Sequence, residues 1–558
     1  MKQLAAACAG ILLCSSLSVA LQRGGDSPDL EVVQRIREEA LKNSQVMKHM
    51  FYLTDVHGPR LTNSPAFYAA ADWIVEQSKK WGLANAARES WGPYGRGWST
   101  SYFSAHLVEP QYAPLIGVPL AWTPGTSGPV AGAPLFAPLQ RDQDFDRYRA
   151  NVEGYMSEHK SKLRGQIVLI EFPPAVEPQD ETAMKRYSAS ELSDRANLPD
   201  PLEPIEIDFR NPVRPEDPQE RRRFNAYAPR YVTRVFAEQR RELQYRFNKF
   251  LTDEGARLIV YPARDGDGGT VFPPLFVSSY RSDAVVPPPS IALTPEHYNR
   301  IVRLVKEKVP VRIEAEFKAE FHQDTMDSIN VVAEIPGGSK RDELVIIGAH
   351  LDSVYAAGTG ATDNAAGSAV MMEVIRILKT LDLPMDRTVR MVLWGGEEEG
   401  LLGSRAYVKK HFGNIETMEL KPEHAKVSAY YNFDNGTGKI RGVYLQENGM
   451  VRPIFDSWLS PFRDLGAATL ASRRTGGTDH LSFDELGIPG FQFIQDPIEY
   501  SARTHHSNMD VYDRIQPADL MQASAIIASF VYHTANRPDP LPRKPLPKPW
   551  PEEVRGKE

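Results

Sequence analysis

Between residues 325 and 535, short runs that are apolar throughout alternate with stretches of helical spacing, and no other feature limits the fold as strongly. Val345-Ile346-Ile347-Gly348, Val389 to Leu393, Val427 to Phe433 and Gly490 to Ile494 read as strands. Ala369 to Leu378, Leu401 to Lys409 and Ala518 to His533 read as the helices between and after them. A strand with no polar alternation has both faces buried. The pattern therefore predicts an α/β fold with a mostly parallel central sheet flanked by helices. In open sheets of this kind, ligands gather beyond the carboxyl ends of the strands.

The 558 residues exceed what one hydrophobic core accommodates, so two or three domains are expected. Helices are expected over Leu30 to Lys48 and Ala66 to Trp81. From about 105 to 310 the texture changes to short strand-like runs with many prolines, among them Gln166 to Ile170 and Arg257 to Tyr261. Residues 173–217 are rich in Pro, Asp and Glu, and 218–249 are rich in Arg at helical spacing. The Arg-rich stretch reads as a solvated helix face, with a lid or a homodimer contact as the sharper alternative. The tail from Arg537 to Pro551 carries so many prolines that an extended, external course with no core role is expected.

The first twenty residues have the build of a secretory signal peptide: Lys2, an apolar run from Leu4 to Leu13, and Ser18-Val19-Ala20 at the cleavage site. The run is too short for a bilayer anchor, and no later stretch approaches about 18 uncharged apolar residues. The expectation is a secreted or periplasmic protein whose mature chain has no membrane span. Cys14 offers a lipoprotein reading, but Leu12-Leu13 before it lack the small residue such cleavage needs. Cys8 and Cys14 are the only cysteines, so the mature chain has no disulfide, zinc ribbon or cysteine nucleophile, and any metal site must use His, Asp and Glu. The net charge of −7 argues against a nucleic-acid partner.

Candidate residues cluster at the predicted strand ends. His350-Leu351-Asp352 follows the first strand, and residues two apart on extended chain point the same way. Asp363 sits in the small-residue turn Gly360 to Gly367 just before a helix. Glu397-Glu398-Glu399 follows the next strand, Asp434 the next, and His505-His506 lies in a later loop. Taken singly, each has a bland reading: a structural histidine, a solvated acidic run, a turn aspartate. Together they converge on one side of one sheet. Buried carboxylates are costly unless paired with cations, and this cysteine-free set suits zinc, or manganese or cobalt in its place.

The order His350-x-Asp352, then Gly-Ala-x-Asp-Asn-x-x-Gly over Gly360 to Gly367, then Glu-Glu-x-Gly-Leu-x-Gly-Ser over Glu397 to Ser404, resembles the co-catalytic zinc exopeptidases. That family includes aminopeptidase Y, secreted bacterial aminopeptidases and plasma glutamate carboxypeptidase (carboxypeptidase Q-like) enzymes. Thr478-Asp479-His480-Leu481-Ser482-Phe483 and Gly58-Pro59-Arg60-Leu61-Thr62 are similar to two further family stretches.

The resemblance implies two zinc ions per chain, one on His350 and Asp434, the other on Glu398 and His506, with Asp363 bridging. It implies Glu397 as general base acting on a metal-bridging water, Asp352 as the acid that orients His350, and a cis bond after Asp363. His506 rather than His505 is implied by the Ser-x-x-Asp that follows it. Glu399, at the variable position, should face solvent. His480 is placed near the site, with assistance and a structural role both open.

Gly165 to Leu169, Gly255 to Ile259 and Pro289 to Leu293 resemble the strands of a protease-associated domain. The implied organisation is a signal peptide over 1–20, an exopeptidase domain over 21–110 and 320–536, an inserted mainly-β domain over 111–319 with a charged insert at about 173–250, and a tail over 537–558. The substrate would be a peptide or dipeptide cleaved at a chain end. Asp434 to Gly438 resembles the carboxypeptidase Q-like enzymes, but amino- and carboxy-terminal specificity both stay open. Rival readings are a binding ectodomain that has lost catalysis and a glutaminyl cyclase-like acyltransferase. Every ligand position and the base are filled, which weighs against the first.

Overall fold

A computed structural model describes residues 26–176, 184–197, 228–264, 266–275 and 277–556, with 215, 217, 220 and 224 between them. The expected signal peptide and most of the acidic insert lie outside the described residues. An eight-stranded mixed sheet organises the main domain. Its four central strands, Arg387–Trp394, Lys340–His350, Val427–Asn432 and Gly490–Gln495, run parallel in that order. They are the four runs singled out in the sequence.

The sheet is not parallel throughout. Ser328–Ile335 pairs antiparallel with Arg387–Trp394, Ala84–Trp91 antiparallel with Ser328–Ile335, and Ile440–Tyr444 antiparallel with Gly490–Gln495. Thr469–Ala471 closes the far edge.

Strand periodicity divides the core between the two faces. Val345, Ile347 and Ala349 point into one cluster, packed by helices Leu30–Lys42, Ala366–Thr380 and Pro517–Asn536. Ile346 points into the other, with Trp394, Tyr407, Tyr430 and Phe483. Helix Ala366–Thr380 is buried from Ala366 to Leu378, because it lies between the sheet and the outer helices.

The expected helix from Leu30 to Lys48 is two pieces, Leu30–Lys42 and Val46–Phe51. The break is held from outside the helix: the Gln45 backbone N–H donates to Glu373 Oε1 at 3.0 Å and Arg376 donates to the Asn43 carbonyl at 3.5 Å. Tertiary partners override the local propensity.

The chain leaves the main domain along Gly97–Glu109 and returns along Arg312–His322. These strands pair antiparallel from Gly97 opposite His322 to Glu109 opposite Arg312. Beyond this ribbon stands a second, five-stranded sheet. Ile167–Glu171 and Leu258–Pro262 are its parallel centre, and Pro134–Leu139, Ser290–Leu293 and Gly117–Pro119 complete it. Helix Arg230–Glu254 lays Leu243, Phe247 and Leu251 on this sheet's core and turns Arg240, Arg241 and Arg246 to solvent.

The tail corrects the sequence reading. It is extended, but Leu541 is only 2% exposed and belongs to the main core. Its N–H donates to Ser428 Oγ at 3.2 Å, and Arg543 donates to the His424 and Val427 carbonyls. Proline spacing removes the tail's own hydrogen-bond ladder but leaves its apolar side chains free to fill a seam in another surface. Leu541→Ala should therefore cost about 2–4 kcal/mol, read as a lower midpoint in urea unfolding.

Candidate metal centre

His350 ends one central strand, Glu397 and Glu398 follow its neighbour, and Asp434 follows the strand on the other side. Because these three strands are parallel and adjacent, their carboxyl ends open on the same side. Asp363 sits in the turn that opens helix Ala366–Thr380, and His506 in the loop before Pro517–Asn536.

The side chains meet around Asp363. His350 Nε2 is 3.2 Å from Asp363 Oδ1 and 3.6 Å from Asp434 Oδ1. His506 Nε2 is 3.0 Å from Asp363 Oδ2 and 2.9 Å from Glu398 Oε2. Ligand atoms of His350, Asp363 and Glu398 all lie within 4.8 Å of one another. His505 also approaches: its Nε2 is 3.5 Å from Asp363 Oδ2, and its ring stacks on His506 at 3.8 Å. It is the more exposed of the two and faces Asp363 alone.

The residues fit a pair of divalent cations. His350 donates Nδ1–H to the Asp352 carbonyl at 3.0 Å, which leaves the Nε2 lone pair aimed at Asp363 and Asp434. His350 Nε2, Asp363 Oδ2 and Asp434 Oδ1 are buried and have no partner of hydrogen-bond geometry. Carboxylate and imidazole acceptors that converge without a donor are what a cation requires.

Electrostatics agree. Burial drives the Glu397 carboxyl well above the usual range, opposed by His350 and reinforced by Asp479, Asp434 and Glu398. Burial would lower His506, but Glu398 and Asp363 outweigh it and hold the imidazole at about 11.

Residues outside the cluster hold it in place. The Asp510 carboxylate accepts from the Thr362 and Asp363 N–H groups at 2.6 and 3.2 Å, and burial pushes its pKa up to about 7. Asn364 Nδ2 donates to the Phe433 carbonyl at 3.0 Å, tying the Asp363 turn to the strand end that carries Asp434. A Cβ at Gly367 would stand 2.2 Å from that carbonyl, so only glycine allows the approach. The Asp363–Asn364 peptide is cis.

Arg60 is fully buried and donates to the carbonyls of Leu53, Leu351, Thr359 and Gly360, joining an early loop to both His350-side and Asp363-side segments. Burial lowers its pKa to about 10.

Asp352, His480 and Glu399 lie around the cluster. The Asp352 carboxylate lies 3.6 Å from His350 Nδ1, but it accepts from the Glu397 and Glu398 N–H groups at 3.3 Å each and from Thr62 at 3.0 Å. It fixes the glutamate turn, while its carbonyl fixes the ring. His480 is buried, its Nε2 donates to the Thr475 carbonyl at 3.1 Å, and burial lowers its pKa to about 4. The neighbouring Asp479 is buried and is one of the acidic residues whose charge acts on Glu397.

Glu399 does not face solvent. It turns inward beside Asp352, Thr62 and Tyr94, and its Oε2 is shut off from water. Gly396, just before the glutamates, has a φ of +72°.

Residues 330–531 match the model of peptidase family M28. Over that segment the chain is similar to peptidase family M28. Carboxypeptidase Q of Homo sapiens is 30% identical over 261 residues, 47% of this chain and 52% of the relative. Aminopeptidase YwaD of Bacillus subtilis (strain 168) is 30% identical over 226 residues, 39% of this chain and 47% of the relative. The chain thus spans about half the length of these relatives.

A peptidase M28 precursor from Shewanella amazonensis SB2B shares the fold with a TM-score of 0.61 at 22% identity, over 93% of this chain and 98% of that one. A zinc aminopeptidase from Bacillus subtilis gives 0.50 at 19% identity, over 87% and 94%. The M28 match begins at residue 330, so Arg60 and Thr62 reach the centre from outside it.

Arg60→Met should cost at least ~3 kcal/mol, since buried carbonyls lose their donor, and Arg60→Lys should recover only part, because an ammonium cannot span the fork. Chemical denaturation measures both.

Proposed function

We propose that this chain is a secreted two-zinc exopeptidase that hydrolyses the bond next to a peptide terminus. The observation that carries the reading is the convergence of His350, Asp363, Asp434, Glu398 and His506, with His350 Nε2, Asp363 Oδ2 and Asp434 Oδ1 buried and lacking a partner of hydrogen-bond geometry. In this reading His350 and Asp434 would hold one zinc, Glu398 and His506 the other, and Asp363 would be shared between them. Bound zinc supplies Lewis acidity toward the scissile carbonyl and lowers the pKa of water.

The chain's own residues do the rest. Glu397 is the general base: its carboxylate takes a proton from the attacking water and returns it to the leaving amine. Asp352 keeps Glu397 and Glu398 pointing apart by holding both N–H groups. Asp479 and Asp434 crowd Glu397 with negative charge and raise its proton affinity, which suits a group that must both accept and return a proton. The amino-terminal leader supports secretion. The paired strands Ile167–Glu171 and Leu258–Pro262 support reading 111–319 as an inserted protease-associated domain. Aminopeptidase and carboxypeptidase names both occur among the relatives, so the peptide terminus is settled by assay.

Glu397→Gln should keep two zincs per chain by elemental analysis and lose about 10²–10⁴-fold in kcat. Near-normal turnover would end the assignment of the base. Asp363→Ala should lose both bound zinc and the thermal stabilisation that added zinc gives the native chain. An unchanged zinc content in that variant would remove Asp363 from the centre.

A further inference from the structure

His506 is the proposed ligand that the sheet supports least. His350 ends a strand, Glu398 and Asp434 closely follow strands, and Asp363 sits where a helix opens. His506 rides on a long loop between strand Gly490–Gln495 and helix Pro517–Asn536, at a φ of +62°. The main domain holds that loop at Thr504, whose hydroxyl accepts from Thr362 Oγ1 at 2.9 Å, and at Asp510. Two further holds come from beyond the paired ribbon, in the stretch between Gly97–Glu109 and Arg312–His322.

The first is a turn. The Thr270 N–H donates to the Asp267 carbonyl at 2.9 Å, and Gly268 and Gly269 between them have φ of +56° and +91°. Two successive positive φ values make this a primed turn, which glycine enters without strain. Just past it, the Val271 side chain is buried in the second sheet's core, in one cluster with Val168 and Ile259. Its backbone bonds to the main domain. The Val271 N–H donates to Asn508 Oδ1 at 2.7 Å, and the Asn508 N–H donates to the Val271 carbonyl at 3.2 Å. Asn508 Nδ2 donates to the Gly269 carbonyl at 3.2 Å. Asn508 is two residues from His506.

The second hold lies upstream. Asp496 is fully buried and accepts from the Tyr187 N–H, Arg186 and Arg441, each at 3.0 Å. The Ile498 N–H donates to the Lys185 carbonyl at 3.1 Å. Arg186 also reaches Asp519 at 2.7 Å, on the helix that follows the loop. Residues 185–187 and 269–271 thus grip the loop on both sides of His506.

We propose that the region beyond the ribbon positions His506, with Asn508 and Arg186 as positioning residues and the Val271 backbone as their anchor. The inference rests on the two-zinc reading. A loop that orders only when metal binds loses chain entropy at that moment, and a loop held in advance does not. Affinity for zinc on the Glu398–His506 side therefore draws on residues far from the metal. Affinity on the His350–Asp434 side does not.

The test is zinc binding by the full chain, measured in competition with nitrilotriacetate. The variants are Asn508→Ala, which removes the side-chain clip, and Arg186→Glu, which sets like charge against Asp496 and Asp519. Each should keep one zinc at wild-type affinity and weaken the other about 10–100-fold, with far-UV circular dichroism unchanged. Adding Asn508→Ala to His506→Ala should change zinc binding no further, because the ligand it positions is gone. Wild-type affinity for both zincs in both variants overturns the proposal, and so does equal weakening of both. Arg186 is partly exposed, so Arg186→Glu decides if Asn508→Ala does not fold.

A wild-type chain that binds fewer than two zincs ends the two-zinc reading, and hydrogen exchange of the metal-free proteins then decides the hold alone. Faster exchange over residues 496–510 in the variants supports it. Exchange equal to wild type overturns it.

Discussion

Burying several acidic side chains at one end of a sheet is the constraint on which this structure depends. Asp352, Asp363, Glu397, Asp434 and Asp479 are each less than one-tenth exposed, and Glu398 and Glu399 are little more open. Carboxylates so placed repel one another and lose their hydration, a cost of several kcal/mol per ion unless positive charge is supplied. The apolar strands that deliver them bring no such charge. His350 and His506 bring some, and the geometry of the remaining acceptors calls for more. The centre thus explains why the turns around it are so heavily braced.

That bracing is mostly made of backbone. Asp510 grips two N–H groups of the Asp363 turn, and Asp352 grips two N–H groups of the glutamate turn. Asn364 reaches across to the Phe433 carbonyl, and Arg60 collects four carbonyls from three segments. Acidic groups hold N–H donors and a cation holds C=O acceptors, so each brace meets the unfilled valence of a loop. His506 itself sits at a positive φ of 62°, a conformation that only a well-held loop sustains.

The sequence made the central strands and the site's acidic and imidazole members readable because both are local signals: a run apolar on both faces, and short motifs directly after it. What it hid depends on distant partners. Ile440–Tyr444 and Thr469–Ala471 are too short to announce themselves, and antiparallel pairing at the sheet margins leaves no mark in composition. Glu399 reads as one more surface acid in a row of three, and nothing local reveals that its Oε2 is buried. Leu541 reads as part of a proline-rich tail, since nothing near it in sequence reveals the groove it fills. The capping work of Arg60 is invisible for a simpler reason: its four acceptors are main-chain carbonyls, which every residue has.

The paired ribbon of Gly97–Glu109 and Arg312–His322 has a thermodynamic consequence for the whole chain. Its strands bring the exit and re-entry points of the second sheet side by side. To the main domain, everything beyond the ribbon then acts as a short, already closed turn rather than a long flexible excursion, and little further chain entropy is lost in joining Arg60 and Thr62 to His350 and Asp363. The excursion can lengthen, shorten or be exchanged without changing the distance the main domain must bridge. Variation in what surrounds the site is thereby uncoupled from the folding of the site itself.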